Sequence, residues 1–180
     1  RPPGEGCGVE GRGTPSPTTP ASDLPGGECA PGITALVTPE GSGRQGADGI
    51  AFPNGMVVTP DNSTLIIAES FAGRLSAFDI AADGSLSNRR VWAELGQGGD
   101  GICLDADGAI WSSSMHDNKP VCIRVREGGQ VLQRLELDGR CFACMLGRER
   151  RPTRVMVVAH RPMAERSAAT AWRLLGLTAS

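Results

Sequence analysis

The sequence has no tyrosine, and its 180 residues include only four phenylalanines and three tryptophans. So few aromatic rings argue against the stacking platforms with which many proteins hold single-stranded nucleic acid. Basic side chains are not in excess either, because 18 Lys and Arg residues stand against 20 Asp and Glu residues, for a net charge of −2. Nothing in this charge balance predicts nucleic acid or an anionic membrane as a partner.

Long hydrophobic runs are missing as well. No apolar run approaches the ~18 residues that a membrane span needs, and the N-terminal residues lack the basic-then-apolar layout of a secretion signal. We therefore expect a cytoplasmic protein with no membrane partner. In that compartment the six cysteines are predicted to be thiols.

Three segments differ in composition. Residues 1–31 are rich in glycine and proline and have no periodic apolar face, so we expect them to be disordered or loosely structured. Strand patterns fill residues 32–159. The remainder, 160–180, is a divergent C-terminal tail that fits either a short helix over 163–175 or a strand over 172–177.

The middle segment contains one pattern twice. It reads IAFPNGMVVTPDNSTLIIAES from residue 50 and GDGICLDADGAIWSSS from residue 99, so that Asn54-Gly55 precedes Asp100-Gly101 by 46 residues. In each copy a polar residue before glycine leads into a short apolar strand, an Asp-containing turn and a second strand. A period of 40 to 50 residues with several short strands is typical of a β-propeller blade.

The predicted fold is therefore all-β, a partial six-bladed β-propeller. It has about three blades of four-stranded antiparallel sheet, the last opening at residues 141–146 and continuing at 154–159. Three blades of roughly 45 residues cannot close a six-bladed ring. We accordingly expect a part of a longer product, with open sheet edges that favour self-association.

Four stretches carry a family resemblance: FPNGMVVTPDNSTLIIAES, RLSAFDIAADGSLSNRRVWAELG, DGICLDADGAIW and CFACMLG. In this order they resemble the C-terminal half of the senescence-marker-protein/gluconolactonase (regucalcin-like) family. The resemblance implies a propeller that binds a divalent metal (Ca, Zn, Mg or Mn) at one mouth of its channel and hydrolyses sugar-acid lactones. It also implies that Asn54 and Asp100 bind the metal and that Asp100 is the catalytic acid/base. The family's remaining metal ligand, a glutamate of the first blade, has no matching motif in residues 1–28.

The residues themselves support this chemistry in part. Repeat symmetry places Asn54 and Asp100 at the same end of the channel, and their oxygens are hard donors suited to such cations. The predicted function is metal-dependent hydrolysis of a lactone, with Asp100 activating water. Two ligands are few, so we expect little turnover from this chain alone.

Three alternatives stay open. Asn-Gly and Asp-Gly can be simple turn dipeptides. The chain can also be a non-catalytic propeller fragment, either a calcium or small-molecule binding module or an interaction module. A third alternative is an inactive truncated product.

Other candidate motifs are interpreted as structural. Asp105-x-Asp107-Gly108 resembles the start of a calcium loop, but the closing glutamate is absent, so a turn is predicted. Glu69-Ser70 and the serines at 112–114 are interpreted as polar residues that end the second strands, and 112–120 as a loop. No G-x-S-x-G motif indicates a serine hydrolase.

The cysteines of the middle segment are also interpreted as structural. Cys141-x-x-Cys144 has no second such pair and no histidine pair at zinc spacing, which favours two thiols on a buried strand. Cys103 and Cys122 are predicted to be core residues of their own strands.

Overall fold

The computed structural model describes residues 31–38, 40–117, 119–146, 153–160 and 171–178. These residues form strands and no helix, which confirms the all-β prediction. Within them, accordingly, no helix is long and apolar enough to cross a bilayer. The segment predicted to be disordered lies outside the described residues except for its last position.

Thirteen strands are found in the described residues. In chain order they are β1 (Ala35–Val37), β2 (Gly43–Gln45), β3 (Pro53–Val58), β4 (Thr64–Glu69), β5 (Arg74–Ile80), β6 (Leu86–Glu94), β7 (Gly98–Leu104), β8 (Ile110–His116), β9 (Lys119–Val125), β10 (Val131–Glu136), β11 (Arg140–Leu146), β12 (Thr153–His160) and β13 (Ala171–Thr178).

The strands form a β1-β2 hairpin and three larger antiparallel sheets. The first sheet has the order β3-β4-β5-β6, the second β7-β8-β9-β10 and the third β11-β12-β13. Within each sheet every strand pairs with the next one along the chain, as in a propeller blade. Two of the sheets have the predicted four strands, and the third has three. β13 pairs with β12 along its whole length, so the tail contributes a strand and not a helix at 171–178.

One local prediction was wrong. Residues 112–120 were expected to form a loop, but β8 continues to His116 and β9 begins at Lys119. The turn between them is short, and Asp117 has a φ of 49° in it. Polarity suggested a loop here, whereas the three serines at 112–114 are buried at 8% exposure or less. Their hydroxyl groups form hydrogen bonds inside the protein, so they do not need solvent.

Apolar side chains fill the spaces between the sheets. Successive residues of β4 point to opposite faces, so Leu65 and Ile67 pack toward Ile50 while Ile66 and Ala68 pack toward the second sheet. A separate cluster around Trp111 lies between the second and third sheets. The two middle strands of the first sheet (β4 and β5) and of the second (β8 and β9) are buried on both faces over most of their length.

The first strands of the three sheets lie side by side, β3 against β7 and β7 against β11. Two glycines permit this contact. A Cβ atom on Gly55 would lie 2.5 Å from the backbone nitrogen of Ile102 and 2.6 Å from the backbone carbonyl oxygen of Asp100. A Cβ atom on Gly101 would lie 2.7 Å from the Phe142 oxygen. All three distances are too short for any real side chain, so the backbones touch only because these residues are glycine.

Substituting either glycine by alanine is expected to push the inner strands apart. Gly55→Ala and Gly101→Ala should each lower the free energy of unfolding by about 1–3 kcal/mol, the usual effect of overpacking. Gly43→Ala is the matched control, since the nearest atom to its Cβ position is 4.0 Å away. Thermal unfolding followed by circular dichroism measures the difference. Equal melting temperatures for Gly55→Ala and Gly43→Ala would contradict the proposed contact.

Glu69, at the end of β4, is a fully buried carboxylate with many partners. Its side chain is 0% exposed and forms ion pairs with Arg74 at 3.2 Å and Arg89 at 2.8 Å. It also accepts hydrogen bonds from the Ser76 hydroxyl group and from the Ala51 backbone N–H at 2.9 Å. These partners come from β5, β6 and the segment before β3, so one carboxylate ties strands of the first sheet to the segment that leads into it.

The partners of Glu69 determine its protonation. Burial by itself raises the pKa, but the hydrogen bonds from Ser76, Ala51, Arg89 and Arg74 outweigh it and lower the pKa to about 2. A folded-state pKa below the unfolded value means that the ionised form stabilises the fold. This stabilisation is complete above the unfolded pKa of about 4.5 and is lost as the pH falls toward 2.

Glu69→Gln is therefore expected to lower the free energy of unfolding at pH 7 by about 3 kcal/mol, since each pKa unit represents about 1.4 kcal/mol. It should also flatten the loss of stability between pH 4.5 and pH 2. Asp79→Asn is the control. The Asp79–Arg90 pair is exposed, so its loss should lower the free energy of unfolding by less. Urea unfolding at several pH values measures both effects. An unchanged acid profile in Glu69→Gln would contradict this assignment.

Candidate functional site

The candidate site lies where the three inner strands meet. Each inner strand has an irregularity in its pairing with the next strand of its own sheet. The shifts fall between Pro53 and Met56 in β3, between Gly98 and Ile102 in β7, and between Cys141 and Ala143 in β11. Such bulges re-aim side chains and are common next to active sites.

These irregularities contain the two predicted site residues. Asn54 lies in the bulge of β3 and Asp100 in that of β7, while Phe142 lies in that of β11. The contacts of the two glycines give the same alignment. Gly55 of β3 lies against Asp100 and Gly101 of β7, and Gly101 lies against Phe142 and Ala143 of β11. The sequence repeat predicted the equivalence of Asn54 and Asp100, and it carried no signal for the bulges.

The side chains of Asn54 and Asp100 are brought together. Burial raises the pKa of the Asp100 carboxyl, while hydrogen bonds from the Asn54 side chain and the Gly101 backbone act in the opposite direction. Burial prevails, so the carboxylate holds a proton more readily than it would in water. Within the described residues no Lys, Arg or His forms an ion pair with Asp100. Asp100 is thus a half-buried anion without a cation beside it in that part of the chain.

Three serines hold the segment that carries Asp100. The backbone N–H of Asp100 donates to the Ser113 hydroxyl oxygen at 3.0 Å, and the Ser114 hydroxyl donates to the Gln97 carbonyl at 3.0 Å. From the first sheet, the Ser70 hydroxyl donates to the carbonyl oxygen of Gly99. The sequence indicated that these serines were structural, and their bonds show that they position Asp100.

A cleft opens beside Asp100. It has a volume of about 260 Å³ and is lined by polar and apolar groups in similar proportion. Its walls come from the second and third sheets: residues 97–100 and 113–115, Pro120, Cys141 and Phe142. The volume is close to the lower end of what small-molecule sites occupy.

The oxygen donors at this point are of the kind that a hard divalent cation prefers. They are fewer than such a cation needs. Asp100 offers a carboxylate and Asn54 an amide oxygen, but the equivalent position of the third sheet is Phe142, which offers none. Among the described residues no three His, Cys, Asp or Glu side chains converge as a metal site would require. Hard cations take about six or more oxygen ligands. A cation at Asn54 and Asp100 would need further ligands from water or from elsewhere.

The other candidate residues lie apart from this site. Asp105 and Asp107 each form an ion pair with Arg124 at 2.6 Å, so their carboxylates close a turn as predicted. His116 is about half exposed at the end of β8, next to Asp117. The Glu69 carboxylate forms ion pairs with Arg74 and Arg89 and accepts a hydrogen bond from Ser76.

Comparison with known proteins identifies the family. A family model described as the SMP-30/Gluconolactonase/LRE-like region matches residues 13–160. The chain belongs to this family. The family resemblance inferred from the four sequence stretches is thereby confirmed.

Solved structures of this family share the fold. A gluconolactonase from Xanthomonas campestris is 28% identical, with a TM-score of 0.60, over 73% of this chain and 43% of its own length. A luciferin-regenerating enzyme is 17% identical with a TM-score of 0.65, over 81% of this chain and 52% of its own. A calcium-binding regucalcin from Agrobacterium tumefaciens is 20% identical with a TM-score of 0.59, over 73% and 45%. The partial propeller is confirmed, and the chain spans about half the length of these relatives.

The raised pKa of Asp100 leads to a prediction about stability. In the absence of divalent metal, Asp100→Asn should raise the free energy of unfolding by roughly 1 kcal/mol, because it removes a half-buried charge and keeps the side-chain shape. For a chain of this size that corresponds to about 2–4 °C in melting temperature. Differential scanning fluorimetry in EDTA measures it. Asp48→Asn, at an exposed position, serves as the control and should leave the melting temperature unchanged. A lower melting temperature for Asp100→Asn would show that the ionised carboxylate stabilises the fold.

Proposed function

We propose that this chain supplies part of the active site of a gluconolactonase-like hydrolase, which opens lactones of sugar acids with the help of a divalent metal. One observation carries the proposal: Asn54 and Asp100 meet at matched bulges of adjacent inner strands, beside a cleft of about 260 Å³. Membership of the family and the gluconolactonase relative support the substrate class.

The roles of the residues follow from their chemistry. Asn54 and Asp100 would hold the cation through their side-chain oxygens. The chemistry that a divalent cation supplies when bound is polarisation of a lactone carbonyl and a lowered pKa of water. Asp100 would accept a proton from the attacking water and return it to the ring oxygen that leaves. The raised pKa of Asp100 suits a group that both accepts and returns a proton.

The surroundings of Asp100 support this assignment. The Ser113 hydroxyl oxygen accepts a hydrogen bond from the backbone N–H of Asp100, and the Ser70 hydroxyl donates one to the carbonyl oxygen of Gly99. These bonds fix the segment that carries the carboxylate on an inner strand. The polar wall of the cleft suits the hydroxyl groups of a sugar lactone. Phe142 at the third equivalent position offers an apolar surface to the carbon skeleton.

A second function is favoured by the small number of donors. Two side-chain ligands support binding of a cation more readily than catalysis, and one structural relative is described as a calcium-binding protein. In this alternative the chain binds calcium or a small molecule and turns nothing over.

Metal titration separates these cases. Calorimetric titration of Ca²⁺, Mg²⁺, Mn²⁺ and Zn²⁺ into the full chain is expected to show weak saturable binding, with a Kd on the order of 10⁻⁴ to 10⁻³ M for a site with few ligands. Asn54→Ala should weaken it about tenfold and Asp100→Asn should abolish it, while Asp48→Asn should leave it unchanged. A folded chain that binds none of the four ions would contradict the metal site.

Hydrolysis of gluconolactone, measured as acid release above the buffer rate, is the second step. Metal-dependent hydrolysis that disappears in Asp100→Asn would support the hydrolase. Binding without hydrolysis would support the binding module instead.

A further inference from the structure

Four cysteines lie together between the second and third sheets. Cys103 comes from β7, Cys122 from β9, and Cys141 and Cys144 from β11; all are thiols, packed around Trp111. The sulfur atoms of Cys103 and Cys144 are 3.3 Å apart. Sequence reasoning predicted four core thiols and had no means to predict that they would meet.

The four thiols form a row with one accessible end. Cys144 contacts Cys103 on one side and Cys122 on the other, and Cys122 in turn contacts Cys141. Cys122 and Cys141 are buried at 0% and 4% exposure, whereas Cys103 and Cys144 are partly exposed. Solvent and small oxidants therefore reach the Cys103–Cys144 pair first.

The backbone favours a covalent bridge at this pair. β7 and β11 touch at Gly101 and Ala143, where a Cβ atom on the glycine would lie 2.8 Å from the alanine Cα. Cys103 and Cys144 follow those residues by two and one positions. Disulfides need Cα atoms close together, about 4.4–6.8 Å apart, and the backbone contact at Gly101 and Ala143 brings the two cysteine-bearing segments near one another. The sulfur atoms already in contact need to approach by little more than 1 Å to reach bonding distance.

We propose that Cys103 and Cys144 form a redox modification site, a dithiol that a peroxide oxidises to a disulfide joining β7 to β11. Within the described residues no group of three or more His, Cys, Asp or Glu side chains is arranged so that it could hold a metal ion, so the row of thiols suits a bridge better than a soft-metal centre.

The reaction balances with one peroxide. Cys103 loses its proton to solvent, and its sulfur attacks a peroxide oxygen, which breaks the O–O bond and leaves a sulfenic acid. The Cys144 sulfur then attacks the Cys103 sulfur, the S–S bond forms, and the sulfenic hydroxyl leaves with the Cys144 proton as water. Two thiols lose two electrons and two hydrogens in all, and hydrogen peroxide becomes two waters.

The order of the two steps follows from the surroundings of Cys144. The contact with Cys103 lowers the pKa of Cys144. The contact with Cys122 and burial raise it by a larger amount, and the resulting pKa is about 12. Cys144 is therefore protonated at neutral pH and is the resolving thiol.

The bridge would act on the candidate site. β7 carries Asp100 three residues before Cys103, and β11 carries Phe142 two residues before Cys144. Both residues line the cleft. Oxidation would lock the two walls of the cleft together, whether or not the cleft is catalytic.

Peptide mapping of the oxidised full chain tests the proposal without any variant. Cleavage before aspartate places Cys103 in residues 100–104 and Cys122 in residues 117–137, while Cys141 and Cys144 share the peptide that begins at Asp138. After treatment with hydrogen peroxide and alkylation of remaining thiols, mass spectrometry should find peptide 100–104 linked to the Asp138 peptide, with the loss of two hydrogens. The link should disappear after reduction with dithiothreitol.

Variants then identify the partner. In a full chain with Cys7→Ser and Cys29→Ser, the link should persist in Cys141→Ala and vanish in Cys144→Ser. Oxidised chain should melt several degrees above reduced chain, and this difference should be absent in Cys103→Ser. A folded, oxidised chain in which Cys103 remains fully alkylatable, or in which peptide 117–137 carries the link, would overturn the proposal.

Discussion

The close approach of the three inner strands is the constraint on which the rest of this structure depends. At Gly55 and Gly101 the backbones of neighbouring sheets are in direct contact, and no other residue type has room there. This contact fixes the alignment of one sheet on the next. Through it Asn54 meets Asp100, and Cys103 meets Cys144. A small shift between the sheets would separate both pairs at once.

The buried carboxylate of Glu69 and the half-buried carboxylate of Asp100 have opposite surroundings. Glu69 is surrounded by two arginines, a serine and a backbone N–H, so its charge is compensated and it serves the fold. Asp100 has one amide and one backbone N–H as partners and keeps a raised pKa. A charge left without a nearby cation costs stability, and proteins retain such costs where function needs the charge. This contrast supports the proposal that Asp100, unlike Glu69, has a functional role.

The described part of the candidate site offers few oxygen donors. Two inner strands present oxygen donors and the third presents Phe142, so the donors do not surround a cation. The match covers 43–52% of the length of the three relatives. Fold and family are therefore established, whereas metal binding and turnover remain proposals that rest on Asn54 and Asp100.

Much of the fold was determined by the sequence on its own. Alternating apolar residues and Asp-Gly turns are local signals, and their repetition at 46 residues predicted the strands, the sheets and the equivalence of Asn54 and Asp100. Tertiary structure alone decided the rest: the bulges that aim these two side chains, the Ser70 hydroxyl that reaches 29 residues along the chain to Gly99, and the Cys103–Cys144 contact across 41. It also showed that β8 continues to His116 through three serines, whose hydroxyl groups find partners inside the protein. Such contacts depend on how separate sheets pack against one another. A local pattern of residues does not encode the distance between residues of different sheets.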